Sequence, residues 1–248
     1  YHHVNASIEV DDVLQNVFET HRPDGVIHLA AQAGVRYSIE NPDKYLDSNV
    51  IGTYKLLEAA RRHPPQHLIL ASTSSVYGAN IDLPFLETAA TSTPMSFYAA
   101  TKMATEAFAH SYSSLYGLPV TMFRFFTVYG PWGRPDMALQ KFAERILEEK
   151  PIQIYNNGQM TRDFTYIGDL VESIIRLMDV LPNKAEHFDN DSLSPVAPFR
   201  VVNIGNSNPR SLLDFISTLE ECLGQQAIRE YLPMQPGDVP VTHADTTL

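Results

Sequence analysis

Tyr98 and Lys102 stand four residues apart in Tyr98-Ala99-Ala100-Thr101-Lys102, at the start of a helical pattern. Residues at this spacing share a helix face, so the ammonium can lie near the phenol and favour its phenolate. A free tyrosine titrates near 10 and is a poor base at neutral pH, and a neighbouring cation lowers that value. Alone, the spacing also describes an ordinary surface pair. It is accompanied by four successive hydroxyls, Ser72-Thr73-Ser74-Ser75, at the end of an apolar run. Ligands of open α/β sheets bind at the carboxyl ends of strands, although a serine-rich strand end can also be a plain turn. Strand, hydroxyls, tyrosine and lysine in this order predict a proton-transfer site.

The elements that must position these groups follow a βαβ rhythm. The pattern predicts a helix over Val10 to His21, a strand over Gly25 to Ala30, a helix over Tyr45 to Arg62 stopped by Pro64-Pro65, and a strand over His67 to Ser72. A helix over Ser96 to Tyr116, closed by Gly117-Leu118-Pro119, then feeds a strand over Val120 to Phe126. Beyond Gly130-Pro131-Trp132-Gly133 the rhythm loosens: helices are expected at Met137 to Glu149, Gly168 to Leu181 and Leu212 to Leu223, strands at Ile152 to Tyr155 and Arg200 to Ile204, and a surface excursion from Pro182 to Pro198. The fold class predicted is α/β: a Rossmann-like, doubly wound parallel sheet lacking its first βα units, with a smaller α/β C-terminal lobe for substrate. Residues 1–130 are read as a partial cofactor-binding domain with the catalytic residues, and 131–248 as mainly the substrate lobe, with some strands returning to the main sheet.

Composition narrows the function. The 248 residues carry 18 Lys+Arg against 29 Asp+Glu, a net charge of −11, and no basic block longer than short pairs such as Arg61-Arg62; nucleic acid is a poor partner. No apolar run approaches the ~20 residues of a membrane span. The single cysteine, Cys222, closes no internal disulfide and offers no zinc pair, which points to a reducing, cytoplasmic setting. Nine histidines show no metal-ligand spacing, so no metal site is expected. Trp132 reads as a loop anchor and Gly130-x-x-Gly133 as a turn, since Pro131 removes an amide a phosphate loop would need.

Across nearly its whole length the chain resembles the extended short-chain dehydrogenase/reductases, and within them the nucleotide-sugar 4-epimerases, with UDP-glucuronate 4-epimerases the nearest group. The segments that carry the resemblance are His28 to Ser38 (HLAAQAGVRYS), Ser72 to Gly78 (STSSVYG), Tyr98 to Lys102, Phe123 to Ala138 (FRFFTVYGPWGRPDMA) and Met160 to Asp169 (MTRDFTYIGD). The resemblance implies Tyr98 as the base, Lys102 as its partner on the nicotinamide ribose, and Thr73 as the hydroxyl on the reacting oxygen. It implies an NAD site at Leu29, Ala30, Ala31, Asn49, Ser72 and Phe125. It sets Phe126 and Thr127 along the sugar, Arg162 on the diphosphate, Tyr155 by the uracil and Asp238 on the uridine. A planar guanidinium suits a diphosphate; Arg162 could instead partner Asp163 or Asp169.

The chemistry so implied is oxidation of C4 by NAD, turnover of a 4-keto sugar, and return of the hydride to its other face. For a uronic acid the intermediate is a β-keto acid prone to lose carbon dioxide, and groups that hold charge on the carboxylate oppose this; Thr73, Ser74, Ser75, Thr127 and Arg134 are the candidates. Family 4,6-dehydratases carry Asp-Glu after the catalytic threonine and the decarboxylases a Glu before Val-Tyr-Gly, where this chain has Ser74 and Ser75. Thr127 replaces the Asn in which UDP-galactose 4-epimerases resemble one another.

The chain also departs from the pattern. Relatives begin with a strand, a glycine-rich turn and a helix that hold the NAD pyrophosphate; no such glycine motif occurs here, and the 12 glycines are few for 248 residues. The expectation is that about 60 residues of βα structure belong before Tyr1. The acidic position on the adenine side falls at Ser7, beside Ile8; Gly168 replaces an Asp, and Gln235 an Arg of the galactose epimerases. Two further readings stay open: a shortened, non-catalytic relative that binds a nucleotide sugar or a family partner, and another UDP-sugar 4-epimerase. A homodimer through helices 45–62 and 96–116, with Ala104, Tyr112 and Leu115 as contacts, is the expected assembly.

Overall fold

The computed structural model describes residues 1–183 and 191–248. At its centre a parallel sheet sets β1 (Gly25–His28), β2 (His67–Thr73), β3 (Val120–Phe125) and β4 (Phe199–Ile204) side by side in that order. Parallel neighbours need crossover connections, and helices supply them. Both faces are covered, which is why the strands read as near-continuous apolar runs. Leu68, Leu70, Val120, Met122 and Val201 turn to one face. There they meet Phe18 of α1 (Val13–His21), Leu56, Leu57 and Ala60 of α2 (Gly52–Arg62), and Ala109 of α3 (Phe97–Tyr116). Their alternates Ile69, Ala71, Phe123 and Val202 turn to the other face and pack on Leu170 and Ile174 of a helix spanning Ile167–Met178.

A second core lies apart from the sheet. Phe142 and Ile146 of α4 (Ala138–Leu147), Ile152 and Ile154 of a short strand paired with Arg229–Tyr231, and Ile216 and Leu219 of a C-terminal helix close on one another there. Counted in chain order, the helix at Ile167–Met178 is α5 and that at Leu212–Leu223 is α6. Local chemistry fixes the helix ends: Ser96 and Ser211 cap α3 and α6 by accepting from the Ala99 and Asp214 amides at 3.1 and 3.0 Å, and Gly117 and Gly224 close them in the left-handed conformation.

The helix expected over Tyr45 to Arg62 begins earlier, at Pro42, and runs unbroken through a π-helical stretch at Leu46–Ile51 into α2. The widened turn sets Asn49 fully inside, where its Oδ1 accepts from the Gln32 amide and its Nδ2 donates to the Gln32 carbonyl and the Thr101 hydroxyl. The π turn therefore aims one amide at the loop after β1, a common use of such distortions. The first strand also ends sooner than expected, at His28, leaving Leu29 exposed.

Part of the excursion expected from Pro182 to Pro198 falls on residues 184–190, outside the described residues. Its remainder is not superficial: Leu193, Ser194 and Ala197 are buried, and Asp191 pairs with Arg200 at 2.9 Å with both side chains enclosed. The ion pair folds the segment back on β4.

Gly78 ends the turn after the hydroxyl run with φ 55° and ψ −123°, and an added Cβ would stand 1.9 Å from the Thr93 carbonyl oxygen. Gly117 also has positive φ but open space around it. Gly117→Ala is therefore expected to cost about 1 kcal/mol and Gly78→Ala at least about 3 kcal/mol. Urea unfolding of the two variants checks this, and equal losses would contradict the structure.

Candidate active site

The carboxyl ends of β1, β2 and β3 converge on one stripe of α3. Thr73 closes β2 and its hydroxyl accepts from the Ser75 amide at 3.2 Å, starting the tight turn Ser74–Tyr77. Tyr98, at the first turn of α3, is buried with its phenol within the influence of the same hydroxyl. One turn on, the buried ammonium of Lys102 donates to the Ala71 carbonyl at 2.9 Å. Thr73 at the end of β2 and Tyr98 and Lys102 on the first turns of α3 thus lie where strand and helix face each other.

The electrostatics differ from the expectation in one respect. Burial raises the Tyr98 phenol above its ordinary value, and the groups that oppose this are the Thr73 hydroxyl and the charge of Arg134. Lys102 is turned instead toward the Ala71 carbonyl, where burial lowers it to about 8 and Glu106 pulls it back up. The helical spacing brings Lys102 beside Tyr98 but does not aim the ammonium at the phenol. Arg134 holds Asp136 in a two-pronged grip at 2.8 and 2.6 Å and faces Tyr98 and Tyr45.

Beside these groups a polar cleft of about 150 Å³ is lined by Ser74, Ser75, Thr127, Arg162 and Asp238. Thr127 is held there because its amide donates to the Asp163 carbonyl at 3.1 Å. The Asp163 carboxylate, fully buried, accepts from the amides of Asn206, Ser207 and Ala244 at 2.9 to 3.1 Å. Asp163 is therefore no partner for Arg162. Arg162 donates to the carbonyls of Thr161 and Pro240 at 2.9 and 3.1 Å, and its charge is opposed by Asp238.

Other expected residues are placed differently. The Phe126 ring is 4% exposed and packs with Tyr77, Phe85 and Ala244, so only its backbone can meet a ligand. Ser72 is wholly buried and its hydroxyl donates to Glu106, so its side chain faces away from any cofactor. Leu29, Ala30 and Ala31 are exposed past the end of β1, Asn49 is pinned to Gln32, and Phe125 is half-buried. Tyr155 does not line the cleft; its ring lies 4.6 Å from the guanidinium carbon of Arg36, which also reaches the cleft residue Asp238 at 3.4 Å.

Sequence reasoning gave no role to Arg36, His28, Glu106 or Arg124. Arg36 sits in a segment quoted for its resemblance and could have been flagged as the cation nearest a predicted strand end. Glu106 continues the Tyr98, Lys102 spacing by four, a signal present but not followed.

The NAD dependent epimerase/dehydratase family matches residues 2–190, and the chain belongs to it. Among curated relatives, a Rhizobium meliloti protein described as "Probable UDP-glucuronate 4-epimerase" is 53% identical over 99% of this chain and 73% of its own. UDP-glucuronate 4-epimerase 2 of Arabidopsis thaliana is 44% identical over 98% of this chain and 56% of its own. Among solved structures, the UDP-glucuronic acid 4-epimerase of Bacillus cereus in complex with UDP-glucuronic acid and NAD superposes with a TM-score of 0.84 at 34% identity, covering 98% of this chain and 72% of that one.

His28 ends β1 with its Nε2 3.2 Å from the Thr53 hydroxyl, and burial, aided by the charge of Lys102, lowers it from 6.5 to about 4. Between those values the unfolded chain binds a proton that the folded chain refuses, so stability is full above pH 6.5 and is lost as pH falls toward 4. The loss amounts to about 3 kcal/mol. His67 is lowered in the same direction by burial and adds to it. In His28→Gln the acid-side fall in melting temperature should be markedly shallower; a fall as steep as the parent's would refute the assignment.

Proposed function

We propose that the protein interconverts UDP-glucuronate and UDP-galacturonate at C4, with NAD as a bound catalyst. The observation that carries this reading is a hydroxyl-lined cleft that includes Ser74, Ser75, Ser96, Thr127 and Arg162, its serines adjoining along the chain Thr73 and the helix turn that carries Tyr98. Family membership and the named relatives point the same way.

The residues fit the nicotinamide end of the cofactor. Lys102 uses one of its three N–H bonds on Ala71, leaving donors for a ribose, and the backbone at Leu29, Ala30, Ala31, Ser72 and Phe125 borders the same strand ends. These 248 residues hold no glycine-rich turn for the pyrophosphate. NAD, when bound, accepts a hydride from C4 and returns it to the opposite face.

The side chains divide the remaining work. Thr73 donates to the reacting oxygen, and Tyr98 takes the C4 hydroxyl proton and later gives it back. The Thr73 hydroxyl and the Arg134 charge help the phenol act as a base against the effect of burial. Ser74, Ser75 and Thr127 hold the sugar carboxylate, keeping its charge off the ring and so opposing loss of carbon dioxide from the 4-keto acid. Arg162 takes the diphosphate, and Asp238 and Tyr155 the uridine, with the Phe126 backbone along the sugar.

The domain division follows the same logic: residues 1–130 carry the cofactor and catalytic groups, and 131–248 mainly the substrate groups. A homodimer would form on α2 and α3, where Tyr54, Phe108 and Leu115 are exposed. Ala104 is half-buried there, and Tyr112 contributes little, because it packs toward the core and its hydroxyl donates to Glu58 at 2.7 Å. The exposed Cys222 suits a reducing cytoplasm.

Tyr98→Phe is expected to lower turnover of UDP-glucuronate by at least about 100-fold with UDP affinity unchanged. Calorimetry and product analysis check this, and a variant that keeps half its turnover would overturn the assignment. Removing two hydroxyl donors to a charge costs about 1.5 to 3 kcal/mol each. Ser75→Ala with Thr127→Ala should therefore weaken UDP-glucuronate binding at least tenfold, spare UDP-glucose, and release a UDP-pentose visible by mass spectrometry. If binding holds and no pentose appears, the carboxylate role is wrong.

A further inference from the structure

Tyr98, Lys102 and Glu106 fall four residues apart on α3, so one stripe of the helix carries a phenol, an ammonium and a carboxylate in line. Two successive residues of β2 are fastened to that stripe. The Ala71 carbonyl accepts from Lys102, and the Ser72 hydroxyl donates to Glu106. From the next strand, Arg124, the register partner of Ser72, grips Glu106 with Nε at 3.0 Å and a terminal nitrogen at 2.7 Å. Arg124 also donates to the Glu87 carbonyl at 3.1 Å and lies over the Tyr77 ring, while the Glu87 carboxylate accepts from the Asn203 amide of β4. The network is enclosed: Lys102 and Arg124 are each 4% exposed and Glu106 9%.

A buried ammonium with a single carbonyl partner is unstable as a charge unless a counter-charge stands near. Glu106 is the carboxylate that acts on Lys102 among the described residues. The groups facing Lys102 from other elements are neutral: the Ala71 carbonyl from β2 and His28 from β1, which burial keeps unprotonated above about pH 4. Glu106 thus serves two cations, with Arg124 held on its far side by Glu87 and Tyr77.

We propose that Glu106 is a positioning residue of the reaction: its charge keeps Lys102 an ammonium, and its bonds to Ser72 and Arg124 fix the strand end that presents Thr73 to Tyr98. The proposal rests on the epimerase reading for its functional meaning, yet it can be tested on the lysine itself.

Proton exchange at Lys102 is read by NMR of protein labelled with 13Cε-lysine, the resonance being assigned by its loss in Lys102→Met. The parent should titrate near pH 8. In Glu106→Gln the midpoint should fall by a unit or more, a tenfold change in the proton equilibrium, and in Glu106→Asp, which keeps the charge, it should return toward the parent's. The basic limb of kcat for the UDP-sugar should move with it while KM changes little. Glu106→Gln leaves Arg124 without its partner and is expected to unfold at lower temperature. Glu106→Gln with Arg124→Met removes both charges; it should recover thermal stability while its lysine midpoint stays below the parent's, and it carries the measurement if the single variant does not fold. An unchanged midpoint in the single variant, or a parental midpoint in the double variant, would overturn the proposal and leave the pair a purely structural one. Loss of UDP-glucuronate turnover with normal lysine titrations would count against the sugar assignment instead.

Discussion

A buried ammonium on a strand-end carbonyl sets the terms for everything around it. Lys102 reaches Ala71 from α3, and taking such a charge out of water is costly unless the surroundings answer it. The surroundings do so by geometry: β2 must stop at Thr73, α3 must begin at Phe97, and the two must lie close enough for one side chain to bridge them. Once they do, the Thr73 hydroxyl and the Tyr98 phenol are neighbours without further adjustment. The capping of α3 by Ser96 and the turn ending at Gly78 serve the same alignment.

The substrate side is built on a different device. The Asp163 carboxylate gathers three backbone amides from two distant segments of the chain, and its backbone carbonyl holds the Thr127 amide, so one buried residue ties the segments around the cleft together. Its two carboxylate oxygens are taken by backbone amides, not by a guanidinium. The arginines nearby therefore remain available to a ligand.

Much of this was legible in the residue pattern. The helix over Leu212 to Leu223 has the bounds expected of it, and β2, β3 and α3 fall within a residue or two of expectation. The strand end carrying Thr73 faces the helix turns carrying Tyr98 and Lys102, as their order along the chain suggests. What the pattern does not carry is direction at the level of single side chains. Spacing set Lys102 next to Tyr98 but not toward Ala71. Resemblance set Phe126 along a ligand, while the alternation of the strand end turns its ring into the cluster with Tyr77 and Phe85. The π-helical stretch was invisible because its apolar residues satisfy the ordinary helical period well enough, and only the three hydrogen bonds of Asn49, made to residues far along the chain, select the wider turn. Ion pairs such as Asp191 with Arg200 depend on how an irregular segment folds back on a strand, which no helical or strand period encodes.

The order of the main sheet has a consequence for dissecting the molecule. Its fourth strand, Phe199–Ile204, pairs with β3 only after the chain has passed through α4, the short strand at Ile152–Ile154 and α5, and the chain then leaves again to complete the second core with α6. Neither core is encoded by one uninterrupted stretch. A fragment ending near residue 130 would strip β3 of its outer neighbour and expose the apolar side chains of both strands. A fragment starting there would carry β4 with no sheet to join. Proteolytic halves or gene fusions cut at that point would separate sequence without separating folding units; an insertion tolerated by this architecture belongs in a loop that crosses neither core.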